Sequence, residues 1–259
     1  KGNEIFSLPH CCFDFNILSH IISLSDIIHL HWVVGMLDYI KAPSLLSKKA
    51  VVWTLADMNA FTGGCHYSEG CLEFENECKN CFLFKSRTNI AHITWKLKKD
   101  FYSKLHNLHI ICPSSWIANH ARNSSLLRHK NIHVIHNPYP SSNYKPFDKI
   151  EARKYLKLPL TSKIILFGSD YLTNQRKGGD LLAHSINSLA SSNDLDNTIA
   201  VTFGNGNIEL PIPTFKLGFI ESSEILSLIY SAADVYLFPS REDNSPLTVC
   251  ESLLCGTPV

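Results

Sequence analysis

The strongest constraint on this chain is a rhythm. Short, continuous apolar runs rich in Val and Ile recur at 26–32, 50–55, 108–112, 132–135, 163–167, 198–203 and 234–238, and stretches with apolar residues at helical spacing occupy 114–127, 179–189 and 222–230 between them. Runs this short and this apolar suit strands buried on both faces of a parallel sheet, where no face needs to alternate with polar residues. Strands that alternate with helices give an α/β, doubly wound architecture. With 259 residues, 45% of them hydrophobic and 18% charged, the chain can fill one large core or two ordinary ones, and its composition excludes disordered, collagen-like and coiled-coil classes.

The rhythm breaks twice. At 136–148, HNPYPSSNYKPFD places three prolines where neither a helix nor a central strand can continue, so the expected domains are 1–140 and 141–259. At 56–89 there is no periodicity over a span much longer than the usual connection of about 2 to 6 residues, which marks a functional or metal-held insertion.

Charge narrows the partners. Lysine and arginine number 24 against 23 acidic residues, a net charge of +1, so no overall field draws in nucleic acid or an anionic membrane, and an anionic ligand must be held locally. No apolar run reaches the roughly 18 residues of a spanning helix, and no signal-peptide pattern opens the chain. Nine cysteines, odd in number and partly clustered, favour a reducing cytoplasm over a disulfide framework. The chain starts at Lys1 and stops at Val259 inside an apolar run, and both ends are expected to be cut.

Open α/β sheets bind ligands beyond the carboxyl ends of their strands. After the run ending at Gly168, a polar loop brings Arg176 and Lys177 to a helix start near Gly179, which can cradle a diphosphate or be a solvated basic loop. After 234–238, a carboxylate-rich loop runs into a helix with Ser245 as N-cap and Pro246 as its first residue. Asp243 and Glu251, eight positions apart, can accept from sugar hydroxyls, or be a dipole-favouring residue and a surface residue. In the insertion, Cys65, Cys71, Cys78 and Cys81 follow C-x5-C-x6-C-x2-C, a set that can bind a structural zinc, form disulfides or stay as free thiols.

Other signals are weaker. Asp194 and Asp196 precede a strand and read as a turn; Gly204 and Gly206 lack the rest of a dinucleotide fingerprint. Strand histidines such as His29 and His31 read as core or capping residues. WKLKKDFYSKL, with Trp95, Phe101 and Leu105, is either an ordinary amphipathic helix or an interfacial membrane contact.

Six segments in order, DIIHLHW, VVWTLADMNAFTGGCHY, CPSSW, VIHNPY, ILFGSDYLTNQRKGGDLL and PSREDNSPLTVCESLLCGTPV, resemble glycosyltransferase family 4, enzymes of the GT-B fold, and more closely its bacterial polysaccharide-biosynthesis members with a cysteine-containing loop. The resemblance covers nearly the whole chain. It implies two Rossmann-like domains facing each other across a cleft, both incomplete here: an acceptor-side domain with the cysteine loop, then a nucleotide-sugar domain. It places Lys177 and Arg176 on the donor diphosphate, with Gly168, Asn244, Ser245, Pro246 and Leu247 around the donor. The family's E-x7-E falls on Asp243, near the donor sugar and one methylene shorter than the usual Glu, and on Glu251, at the ribose. Ala56 stands where many relatives carry the His of a His-Asp pair, while Asp57 remains; with FTGGCHY intact beside it, another group is expected to replace that His. Asp57 and Asp243 are thus the candidate catalytic residues.

The expected activity is retaining transfer of a hexosyl-type sugar from a nucleoside diphosphate to a glycan or lipid-linked saccharide. No cofactor is expected to be required, and the location is cytoplasmic with a peripheral contact at the inner membrane face. Two rivals are a catalytically weak nucleotide-sugar-binding protein and a zinc-stabilised interaction module.

Overall fold

The computed structural model describes residues 6–84, 89–139 and 141–259. Lys1, residues 85–88 at the end of the expected insertion, and Pro140 at the expected domain boundary lie outside them. The chain divides into two compact units, Lys1–Asn137 and Pro138–Val259.

The first unit runs α1 (Phe15–Ser23), β1 (Ile27–Leu30), α2 (Pro43–Leu46), β2 (Ala50–Thr54), α3 (Ile90–Ser103), β3 (Leu108–Cys112), α4 (Ser115–Asn123) and β4 (Asn131–Val134). Its strands form a parallel sheet in the order β1-β2-β3-β4. The two central strands bury Val51, Trp53, Leu108 and Ile110, whereas the edge strands β1 and β4 are half-exposed. His29 shows the consequence: it is exposed and pairs through Nε2 with Thr54 Oγ1 at 2.8 Å, so of the two expected roles, core or capping, it does not fill the core one.

Helix α3 settles the reading of WKLKKDFYSKL. The Asn89 side chain accepts the His92 N–H at its start, and Ala91, Thr94, Trp95, Lys98, Phe101 and Tyr102 form its buried stripe. Trp95, Phe101 and Leu105 are core residues, so this aromatic face is unavailable to a membrane surface. Lys98 is buried with them, donating to the carbonyls of Asn59 and Thr62, and burial lowers its pKa to about 8 against the pull of the Asp57 charge. Helix α4 ends earlier than the expected 127 because Ser124 turns extended and its Oγ accepts the N–H groups of Leu126 and Leu127.

The second unit runs α5 (Lys149–Tyr155), β5 (Lys163–Tyr171), α6 (Gly179–Ser191), β6 (Thr198–Asn205), β7 (Thr214–Lys216), α7 (Ser223–Ala232), β8 (Val235–Tyr236) and α8 (Leu247–Leu254). Its parallel sheet has the order β7-β6-β5-β8. Strand β7, three residues preceded by Pro211 and Pro213, is too short for a periodic signal and was not anticipated. Asp194 and Asp196 lie in the turn between α6 and β6, as expected. Burying Ile164, Leu166 and Val201 in this core contributes about 1.5–3 kcal/mol each.

Under this sheet, α5 supplies one buried cation. Arg153, 3% exposed, donates to the carbonyls of Leu160, Ser162 and Ala232 and to Asp234 Oδ2 at 2.9 Å. Asp234 also accepts from Lys149 and from the Ile164 N–H, so one carboxylate joins α5 to the starts of β5 and β8.

Candidate functional site

The strand order of the second unit creates the site. From β5 the chain moves outward to β6 and β7, then returns to the other side of β5 as β8, so connections leave adjacent strands in opposite directions and a crevice opens at their carboxyl ends. A cavity of about 340 Å³ lies there, lined by the end of β5, Phe203 and Gly204 of β6, Lys177, Asp243 and the first turns of α8.

Lys177 is delivered by a single turn of 3-10 helix, Gln175–Lys177, whose Arg176 N–H is capped by the Asn174 side chain. Gly178 follows with φ +73°, and a Cβ there would meet the Pro239 carbonyl oxygen at 2.0 Å; only glycine lets the loop after β5 approach the end of β8 so closely. The two loops are then tied by Arg241 N–H to Arg176 O, 2.8 Å, and Arg176 Nη1 to Glu242 O, 2.9 Å. This brings Lys177 Nζ to 2.7 Å from Asp243 Oδ2, with Arg176 Nη1 at 3.6 Å from the same oxygen.

Facing them is the start of α8. Pro246 is its N-cap and makes no side-chain capping bond, so the expected assignments of Ser245 as N-cap and Pro246 as first helical residue shift by one. The reason lies in Ser245, whose hydroxyl pairs with the Tyr139 hydroxyl at 3.0 Å instead of folding back onto the helix. The first turn, Leu247 and Thr248, therefore presents uncapped N–H groups and the positive end of the helix dipole at the cavity. Glu251 lies one turn on, and accepts from the buried Tyr230 hydroxyl at 2.9 Å. Burial and then the Glu251 charge raise the pKa of Tyr144 to about 12, so this neighbour stays a neutral hydroxyl.

Of the residues expected around a donor, Gly168, Lys177, Asp243, Ser245, Pro246, Leu247 and Glu251 line this cavity. Arg176 and Asn244 are not among its lining: Arg176 is directed to the Glu242 carbonyl, and Asn244 is buried. Sequence reading passed over Ser169, Asp170, Phe203, Phe219, Ile220, Leu226 and Thr248, and it discounted Gly204, which has φ +118° at the end of β6. A glycine closing an apolar strand was the available signal.

In the first unit, Asp57 lies just beyond the carboxyl end of β2. Its Oδ2 accepts from His66 Nδ1 at 2.6 Å and Trp32 Nε1 at 3.0 Å, and its Oδ1 from the Asn59 N–H at 2.8 Å. His66 is 5% exposed, and its Nε2 lies 2.7 Å from Ser7 Oγ. An imidazole thus stands beside Asp57 even though position 56 is alanine. Its signal was the histidine within the FTGGCHY stretch itself.

The four cysteines of the insertion line one small cavity, of about 20 Å³, and all are free thiols. Burial, and then the neighbouring Cys81, Cys78 and Cys71, push Cys65 up to about 12. The donor chemistry is that of zinc, yet among the described residues no three His, Cys, Asp or Glu side chains are arranged to hold a metal ion.

The fold class is α/β of the GT-B type. Its sucrose-phosphate synthase neighbour from Thermosynechococcus elongatus superposes with TM-score 0.64 and 17% identity over 94% of this chain and 57% of that one. HepE from Anabaena, solved with UDP and glucose, gives 0.59 and 16% over 94% and 61%. Among curated proteins, the chain is 26% identical over 219 residues to the putative colanic acid biosynthesis glycosyl transferase WcaC of Escherichia coli K12, covering 81% of this chain. The chain spans 27% and 51% of the lengths of two curated relatives that it matches. No family model matches. Among the described residues no helix is long and apolar enough to cross a membrane.

Proposed function

We propose that the protein is a glycosyltransferase of the family 4 type that moves a sugar from a nucleoside diphosphate to a glycan or lipid-linked saccharide, with retention. One observation carries the reading: a cavity at the switch point of the second unit joins a lysine, an uncapped helix N-terminus and three carboxylates, Asp170, Asp243 and Glu251. It is supported by the likeness in fold to HepE, solved with UDP and glucose, and by the similarity to WcaC.

The roles follow from charge. As the sugar departs, negative charge builds on the diphosphate, and Lys177 with the start of α8 stabilises it. Glu251, an acceptor held by Tyr230, takes ribose hydroxyls, and Asp243 takes hydroxyls of the donor sugar. Asp57, with His66 as the group that replaces the missing imidazole, serves the reaction from the first unit. The chain works at the cytoplasmic side, where nucleotide-sugars are made.

Titration with UDP, ADP and GDP, followed by nucleotide release from the matching sugar donors, tests the reading. At least one nucleotide is expected to bind, and its sugar donor to be turned over. Binding without turnover, with glycan acceptors present, would make the nucleotide-sugar-binding protein the better account; no binding would remove both.

The cysteine insertion carries a separate proposal, a structural zinc on Cys65, Cys71, Cys78 and Cys81, supported by the four thiols lining one cavity. Holding the ion requires them to close by rotamer changes. Elemental analysis of protein purified without chelator is expected to return one zinc per chain, and loss on Cys78→Ser; a metal content of zero sinks it.

A further inference from the structure

A side chain outside the cavity wall grips the turn that delivers Lys177. Arg241 lies in the loop after β8 and is not among the residues lining the cavity. Its N–H donates to Arg176 O at 2.8 Å, and its Nη1 donates to Gln175 O at 2.6 Å. Ser240 Oγ donates to the same Arg176 carbonyl at 3.1 Å. The guanidinium is also bidentate to Asp180, Nη1 to Oδ1 at 2.7 Å and Nη2 to Oδ2 at 2.6 Å.

Asp180 is a firm anchor because it belongs to the first turn of α6. Hydrogen bonds from Arg241, with its charge and the backbone N–H groups of Asp180 and Leu181, hold the Asp180 carboxyl down at about 2, so it stays ionised. The start of α6 is therefore occupied by a carboxylate of its own chain, and it offers a fixed point to Arg241 instead of a cradle to a diphosphate.

The turn needs such an anchor. Gln175–Lys177 is one turn of 3-10 helix, ended by Gly178 in the left-handed region, and a turn this short has little cooperative stability of its own. Lys177 adds a flexible four-carbon stem. Ordering its backbone in advance reduces the freedom that is lost when a ligand binds. An arginine suits the task because its planar fork holds two carboxylate oxygens and a carbonyl at fixed angles, which a lysine point charge does not do.

We infer that Arg241 is a positioning residue: braced on Asp180, it fixes the Gln175–Lys177 turn and thereby presents Lys177 to the diphosphate of the ligand. The inference rests on the nucleotide-sugar reading of the cavity. An ion pair this exposed, 41% and 58%, is ordinarily worth little, but this one is bidentate and its arginine makes two further bonds to the turn that it orders.

The test is a double-mutant cycle on the 259-residue chain: wild type, Arg241→Ala, Lys177→Ala and the pair together, with Asp180→Ala as a further variant. Affinities are measured for UDP, ADP, GDP and inorganic pyrophosphate. Arg241→Ala is expected to weaken binding of pyrophosphate and of the nucleotide that binds by about 5-fold, equivalent to ~1 kcal/mol. In the Lys177→Ala background the same change is expected to weaken binding less than about 2-fold, because Arg241 acts through Lys177. A full loss in both backgrounds would mean that Arg241 contacts the ligand itself or only stabilises the fold, and it overturns the inference. Asp180→Ala separates bracing from plain charge. Deleting a carboxylate near an anionic ligand favours binding on charge alone, whereas loss of the brace is expected to weaken it by about 3-fold. Equal or tighter binding in Asp180→Ala, or in Arg241→Ala, also overturns the inference alone. A wild-type chain that binds neither nucleotide nor pyrophosphate overturns the function proposed above as well.

Discussion

Lys177→Ala is expected to weaken nucleoside-diphosphate binding by about 10- to 150-fold, the equivalent of the ~1.5–3 kcal/mol carried by a hydrogen bond to a charged group. The side chain is 24% exposed and its partner Asp243 12%, so the cation acts in a partly desolvated setting where charge is not fully screened. Its removal has a second effect. Among the described residues Asp243 would keep Arg176, at 3.6 Å, as its remaining ion-pair partner, and its less compensated carboxylate would repel the incoming diphosphate. Both effects act in the same direction, and both should fade as salt is raised. Calorimetric titration at two ionic strengths measures them; an affinity unchanged at low salt would take Lys177 out of the site.

Arg153→Met should lower the stability of the second unit by about 3–5 kcal/mol, because the carbonyls that the buried guanidinium satisfies lose their donor at a cost of about 1–3 kcal/mol each. The guanidinium side chain is 4% exposed and satisfies three carbonyls besides Asp234, none of which methionine can reach. Denaturant unfolding followed by a probe within the second unit is the proper measurement, since two units need not unfold together. A loss below ~1 kcal/mol would show that the network is replaceable by packing alone.

The same network sets an acid limit. Burial pushes the Asp234 carboxyl up, but hydrogen bonds from Lys149 and the Ile164 N–H, with the charges of Lys149 and Arg153, outweigh it and hold the group below its usual value. A carboxyl depressed in the folded state contributes stability that is complete above the unfolded-state value of about 4 and is lost as pH falls through the folded value. The second unit should therefore loosen on acidification below about pH 4, and less steeply once Arg153 is gone.

The architecture was open to inspection in the primary structure because element type is a local property. Apolar β-branched runs such as 163–167 and 198–203 make strands wherever they lie, and Ser222 or Asp148 caps the helix after it through atoms two or three residues away. The landmarks of the donor region were open for a related reason: Gly168, Lys177, Asp243 and Glu251 lie at strand ends and helix starts, where an α/β chain brings its ligand contacts together.

Pairing and direction had to await the folded chain. Local order along 163–182 places two cations next to a helix start, but the grip of the β8 loop on the β5 loop turns Arg176 to a carbonyl and sets Lys177 against Asp243. His66 lies nine positions from Asp57, and no periodicity announces that the chain folds back to join them. The bulge between Gly168 and Tyr171 depends on the register of β5 against β6, and the crevice itself on the return of β8 to the far side of β5. Register and strand order come from packing between residues distant in sequence, so they are properties of the assembled core and not of any one segment.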